Sequence, residues 1–150
     1  MIYSQSEKDF IHEMSKDNIV PYGSPLTHPG LLARLGTVGP SGQPMIHPLV
    51  AWFDLDSGLI WVGSFNLPKT QKARNIAAEP RVSVVVDDWQ DKGSDVRGRG
   101  IEVRGVATLV PVEEPFSRGF SADALRIEPR RILSWYLEGP GHFARNVDVA

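Results

Sequence analysis

The 150-residue sequence contains no cysteine. That excludes a thiol nucleophile, a thiolate-ligated zinc and a disulfide framework, and it fits a reducing compartment. Charge of one sign is also missing: the formal net charge is -2, so there is no broad basic field to hold nucleic acid. No run approaches the ~20 apolar residues of a membrane span. The opening stretch, MIYSQSEKDFIHEM, is charged throughout and lacks the apolar core of a signal peptide. These absences lead us to expect a soluble, cytoplasmic protein with no nucleic-acid or membrane partner. His12, His28, His47 and His142 lie far apart, so no metal site is expected. No Walker pattern and no Gly-x-Ser-x-Gly elbow occur.

What is present suits one packed domain. Hydrophobic residues make up 41% of the chain, enough for a core without covalent staples. There is no internal repeat. Residues 1–30 read as an N-terminal arm, in which Phe10, Ile11 and Met14 fall near helical spacing. Residues 21–30, PYGSPLTHPG, read as an irregular connector.

The period then changes to that of strands. LLARLGTV (31–38) ends at the turn run Gly39-Pro40-Ser41-Gly42. MIHPLVAWFDL (45–55) follows, and Asp56-Ser57-Gly58 turns the chain into LIWVGS (59–64). These three make an antiparallel meander. Thr70 is a candidate N-cap for a helix whose apolar face holds Ala73, Ile76 and Ala77, and Pro80 stops it. RVSVVVDD (81–88) is a valine-dense strand, WQDKGSDVRGRG (89–100) a polar loop, and IEVRGVATLV (101–110) a long strand with a wetter start and a more buried end. ALRIEP and RILSWYL (124–137) read as two final strands split by Pro129. Six or seven strands with one firm helix suggest a closed or nearly closed β-barrel over residues 31–150.

Two segments could carry chemistry. In GSFNLPKTQKARN (63–75), Lys69, Lys72 and Arg74 crowd a helix start, where positive charge costs roughly 0.3–1 kcal/mol per group against the dipole. A bound phosphate would neutralise them beside free backbone N–H groups, with Ser64 and Thr70 hydroxyls as further donors. A solvated, lysine-rich surface helix fits the same residues equally well. In Met45-Ile46-His47-Pro48-Leu49, His47 lies inside an apolar strand next to a proline that cannot donate to a ladder, so the strand is open or at an edge there. A planar ring could dock at that place; a satisfied core or edge histidine is the plainer alternative. Asp87-Asp88 is an acidic pair at a strand end with no assigned role. Trp52, Trp61, Trp89 and Trp135 are many indoles for this length, and Trp135 suits a subunit interface or a lid on an aromatic ligand.

These segments resemble the pyridoxamine 5′-phosphate oxidase-like superfamily of split β-barrels. The match is carried by ARLGTVGPSGQPMIHPLVAWF and IWVGSFNLPKTQKARNIAAEPRVSVVVDD, in order and spacing. More narrowly, VRGRGIEVRGVATL and FSADALRIEPRRILSWYLEGPG resemble the actinobacterial branch that depends on coenzyme F420, an 8-hydroxy-5-deazaflavin. The resemblance implies a mainly β (α+β) fold, a split β-barrel of the FMN-binding type with six or seven antiparallel strands and one to three short helices. It implies a homodimer holding coenzyme F420, with FMN as the alternative cofactor, and hydride transfer to a small organic substrate. Thr70, Lys72 and Asn75 fall on the family's phosphate-binding helix start, with Ser64 and Lys69 in the loop before it. His47, Pro48 and Leu49 fall on the strand lining the ring, and Trp135 on a C-terminal segment that reaches the dimer interface. Thr70-Gln71-Lys72 departs from the frequent Ser-Arg-Lys, so one phosphate-binding arginine is missing, and Lys69 and Arg74 are the candidates to replace it. The residues that hold a pyridoxal-type substrate have no match. A non-catalytic carrier of flavin or haem, with His47 or His142 as axial ligand, is the remaining alternative.

Overall fold

A computed structural model of the chain describes residues 2–15 and 28–149. Strands β1 (Gly30–Val38), β2 (Pro44–Phe53) and β3 (Ile60–Val62) form the expected meander. Helix α2 (Gln71–Ala78) follows, preceded by helix α1 (Gln5–Ser15) at the N-terminal end of the chain. Then come β4 (Arg81–Asp91), β5 (Val96–Pro111), β6 (Asp123–Trp135) and β7 (His142–Asn146). The sheet runs β3-β2-β1-β4-β5-β6-β7, all neighbours antiparallel, and β3 also pairs with β6. That extra pairing closes six strands into a barrel, which removes the exposed edges an open sheet would carry. The barrel is split because β6 changes partners along one edge: Leu125–Ile127 pair with β3, and Arg131–Trp135 pair with β7.

Alternation decides the core. Leu31, Ala33 and Leu35 of β1, Val82, Val84 and Val86 of β4, and Ile101, Val103 and Ala107 of β5 point inward and are buried. Residues at every second position of a strand share a face, so these three strands supply one wall. The N-terminal segment joins the same core: Tyr3, Phe10 and Ile11 are fully or almost fully buried. Each buried side chain of this size contributes about 1.5–3 kcal/mol. Two guanidinium groups on strands anchor α1 through its carboxylates. Arg99 on β5 binds Glu13 of α1 and Asp88 of β4, and Arg145 on β7 binds Glu7. The connector expected over 21–30 lies largely outside the described residues.

Three expectations are corrected. The segment 89–100 is mostly strand, not loop: Asp87–Asp91 pair with Val96–Gly100, and the turn is confined to Lys92–Asp95. The backbone ladder needs no apolar side chains, so a polar, glycine-rich composition concealed it. The two strands expected over 124–137 are one, β6, which ends at Trp135. Pro129 is tolerated because its outer edge lies between the β3 and β7 pairings, beside a bulge opposite Arg104/Gly105. A Cβ at Gly105 would sit 2.2 Å from the Glu128 carbonyl oxygen, so only glycine admits that approach. Finally, the far end of β5 is the more open one: Thr108 is exposed and Leu109 is 40% exposed, because no element covers the barrel there. The seventh strand, β7, is unheralded in HFARN. No helix among the described residues is long and apolar enough to cross a membrane.

Candidate functional site

The chain leaves β3 at Val62 and reaches α2 through a loop that the backbone holds tightly. Leu67 is fully buried, its N–H donates to Ser121 Oγ at 3.0 Å, and Asn66 adopts a left-handed conformation. A single turn, Leu67–Lys69, then delivers Thr70 as the N-cap of α2. Thr70 Oγ1 accepts from the Ala73 N–H at 3.3 Å and donates to the Leu67 carbonyl at 2.7 Å. Its hydroxyl is therefore committed to the cap in this conformation. The N–H groups of Gln71 and Lys72, first in the helix, carry no intrahelical partner by geometry.

Lys72 turns inward and is half-buried. Burial holds its ammonium below the ordinary lysine range. No carboxylate lies within ion-pair distance of it among the described residues. His47 faces it from β2: burial first, and then the positive charge of Lys72, keep the imidazole below its ordinary value. An unneutralised ammonium beside an imidazole held neutral, on one partly dry wall, favours an anion.

His47 is also tied inward. Its Nε2 lies 2.7 Å from Oγ1 of buried Thr37 on β1. Asn75, 3% exposed on α2, donates through Nδ2 to the same hydroxyl at 2.9 Å and to Met45 Sδ at 3.3 Å. Gln71 Nε2 donates to Asn75 Oδ1 at 2.7 Å. Arg74 donates to Gln71 Oε1 at 2.8 Å and also to the Lys69 carbonyl, so its guanidinium folds back over the helix start.

Pro48 and Leu49 continue β2 on its open side. On β2, β3 pairs with Trp52 and Phe53 alone, so among the described residues the outer edge of β2 is unpaired at His47, Pro48 and Leu49. This is the open ladder the proline required. Ser64 is half-buried, with its hydroxyl on the Phe65 carbonyl at 3.2 Å, and Lys69 is exposed. A groove of about 520 Å³ runs beside Thr37, Met45 and Ile46 toward Arg81, Ser83 and Arg104. Trp135 is not brought to this place within one chain. It lies on β6, four strands from β2 in the sheet, and lines a separate hollow of about 320 Å³ with Glu102, His142 and Phe143.

Thr37 and Gln71 were missed in the sequence. Thr37 continues the inward series Leu31, Ala33, Leu35, where a polar residue on an apolar face is the signal. Gln71 precedes Asn75 by one helical turn, the spacing at which amide side chains meet. Among the described residues no cluster of His, Asp and Glu could hold a metal.

The family model described as "Pyridoxamine 5'-phosphate oxidase" matches residues 30–139. A 5a,11a-dehydrotetracycline/5a,11a-dehydrooxytetracycline reductase from Streptomyces rimosus is 36% identical over 107 residues, which cover 71% of this chain and 75% of that protein. Among solved structures, a conserved hypothetical protein from Mycobacterium tuberculosis superposes with a TM-score of 0.57 at 24% identity, covering 99% of this chain and 96% of that one. An F420 reductase superposes with a TM-score of 0.51 at 22% identity, covering 67% of this chain and 87% of that one. Both structures share the fold.

Proposed function

Because the chain belongs to the pyridoxamine 5′-phosphate oxidase family, we propose that it is an oxidoreductase that binds coenzyme F420 at a subunit boundary. It would pass hydride between that deazaflavin and a small organic substrate. The observation that carries this reading is Lys72, a half-buried ammonium with no carboxylate within ion-pair distance among the described residues, at the start of a helix with free N–H groups. A buried, uncompensated cation is costly unless an anion joins it. A cofactor phosphate supplies that anion, and the helix start supplies N–H donors to it.

The residues fit a flavin-like group in a second respect. His47, Pro48 and Leu49 lie on an unpaired strand edge, where backbone groups can meet the polar rim of a planar ring. Within this reading, Lys72 and Lys69 hold the phosphate end, the hydroxyls of Thr70 and Ser64 join them by turning from the Leu67 and Phe65 carbonyls, and Asn75 braces the wall behind it. The bound deazaflavin supplies the hydride chemistry, and the protein supplies binding, orientation and exclusion of water. The 36% identical relative is named a reductase of a dehydrotetracycline, which supports reductive chemistry on a cyclic organic substrate.

Leu32 and Ile46 are 67% and 73% exposed on the outward face of β1 and β2. Large apolar side chains left on one sheet face support a homodimer closing over that face. In that assembly Trp135 of the partner subunit would cover the ring.

Titration of purified protein with coenzyme F420 and with FMN, followed by fluorescence quenching, tests the reading. F420 binding in preference to FMN is expected. Tight FMN binding without F420 binding replaces the cofactor and keeps the reaction class. Binding of neither removes the proposal.

A further inference from the structure

Five side chains link the surface of α2 to the ring of His47 in a single file. Arg74 Nη2 contacts Gln71 Oε1 at 2.8 Å, Gln71 Nε2 contacts Asn75 Oδ1 at 2.7 Å, Asn75 Nδ2 contacts Thr37 Oγ1 at 2.9 Å, and Thr37 Oγ1 contacts His47 Nε2 at 2.7 Å. The polarity of the file follows from its first member. A guanidinium only donates, so it must meet the oxygen of the Gln71 amide. The Gln71 nitrogen then faces Asn75 and meets its oxygen. The Asn75 nitrogen consequently faces Thr37. Met45 Sδ, 3.3 Å from that nitrogen, can only accept and fixes the same orientation from a second side. Thr37 Oγ1 accepts from Asn75, and among the described residues the acceptor in reach of its single hydrogen is His47 Nε2, so the hydroxyl is satisfied as a donor when Nε2 is bare. An imidazole that accepts at Nε2 is neutral and carries its proton on Nδ1.

We propose that Arg74, Gln71, Asn75 and Thr37 form a one-way hydrogen-bond relay that fixes the tautomer of His47, leaving its ring proton on Nδ1 as a neutral donor to a carbonyl-bearing heteroaromatic ring laid on β2. The identity of that ring rests on the function proposed above; the relay itself does not. No described residue accepts from Nδ1, so the donor is open to a ligand. Neighbouring bonds polarise one another along such a file, which strengthens the terminal one. The charged groups facing His47 and the relay are Lys72 and Arg74 of α2, both cations. A second ring proton would therefore meet like charge, and it would force the Thr37 hydroxyl to turn its hydrogen away from Nε2 and accept through its second lone pair. A neutral donor binds ring carbonyls without setting another full charge beside Lys72, and His47 keeps its proton throughout.

The relay is tested on the full-length protein labelled with ¹⁵N-histidine, without cofactor, by long-range ¹H–¹⁵N correlation of the imidazole rings. Wild type is expected to show His47 protonated at Nδ1 and bare at Nε2. Gln71→Glu is the decisive variant. Its carboxylate accepts from Arg74 but cannot donate, so Asn75 must turn its amide and give up the weak Met45 contact, Thr37 must donate to Asn75, and His47 must donate from Nε2. The tautomer should invert. Gln71 is half-exposed in the first turn of α2, where an acid suits the helix dipole, so the variant folds. Thr37→Val should abolish the preference, and Thr37→Ser should restore it, which a merely structural role for Thr37 would not produce. Nε2–H in wild type, or the same tautomer in wild type and Gln71→Glu, overturns the relay. Titrating F420 into the labelled sample tests the other half. A shift of the Nδ1–H signal is expected. Binding that leaves it unmoved takes the ring off His47 while the relay stands, and absence of binding removes the proposed function alone.

Discussion

The carboxylate of Glu7, 1% exposed, receives both terminal nitrogens of Arg145 at 2.7 Å each, across 138 residues of sequence. Arg145 also donates to the Ile2 carbonyl at 2.6 Å. One guanidinium thus fastens the start of α1 to β7, and burial of Tyr3, Phe10 and Ile11 depends on that placement. Removing the cation leaves the buried carboxylate with the Ser4 N–H at 2.9 Å but without its counter-charge. Arg145→Ala should destabilise the fold by about 3 kcal/mol, the lower end for a broken buried pair, because the Arg145 side chain is itself 37% exposed. Chemical denaturation with a fixed m-value measures it. A loss below about 1 kcal/mol, the value of a surface pair, would show that α1 docks without this contact.

How far such contacts could be read in advance depends on their range. β1, β2, β3 and the first part of β4 were legible because apolar side chains alternate within each segment. The helix after Thr70 was legible because its cap and its stop are local. Arg145 and Glu7 were not, since neither carries a local signal. The same holds for β6: Pro129 marks a strand end by local rules, and only the bulge opposite Gly105 lets the strand pass. β7 has no apolar stripe, and its pairing with β6 supplies what its composition lacks. At the candidate site, Lys72 and His47 stood out as misplaced chemistry on a helix start and an apolar strand. Their proximity could not be read, because β1, which carries Thr37, lies between them in the folding pattern.

Lys72 separates binding from stability. Its ammonium is held below the usual lysine range by burial, so in the empty protein its charge opposes folding at neutral pH. Lys72→Met keeps the aliphatic stem and removes the charge. Cofactor binding should weaken by about 1–3 kcal/mol, the worth of a charge-assisted bond to phosphate. The melting temperature of the empty protein should hold or rise. Fluorescence titration and thermal melts measure the two. A large stability loss with unchanged binding would make the helix start purely structural.

His47 should impose a pH dependence on stability with a definite sign. The unfolded chain protonates it near 6.5, whereas the folded protein resists protonation, first through burial and then through Lys72. In the window below about pH 6.5 the unfolded state binds more protons, so stability falls as pH falls and is fully present above that window. One group contributes at most about 1.4 kcal/mol per pH unit. The difference between wild type and His47→Gln isolates this contribution from the rest of the chain. The variant should lose part of the acid-side slope. Parallel curves for the two proteins would mean that His47 protonates equally well folded and unfolded.

The outward face of β1 and β2 makes the final case. Leu32, Ile46 and Val50 share that face with Gly36, which pairs with Ile46, and with Arg34 and Pro48, which lie between the two apolar pairs. Ile46 is 73% exposed and lines the groove beside Thr37 and Met45, so any partner seated there borders the candidate site. An aspartate at this position costs a lone chain little, since the side chain already faces water. It costs an assembly a desolvated, unpaired charge. Ile46→Asp should therefore leave the monomer's thermal stability within about 0.5 kcal/mol. It should raise the dimer dissociation constant at least tenfold, about 1.4 kcal/mol. Analytical ultracentrifugation across a concentration series reads the second effect. F420 titration of the same variant shows whether the cofactor needs both subunits. Weakened binding that recovers at high protein concentration makes the site composite. Unchanged binding by a monomeric variant confines it to one chain and removes the role proposed for Trp135.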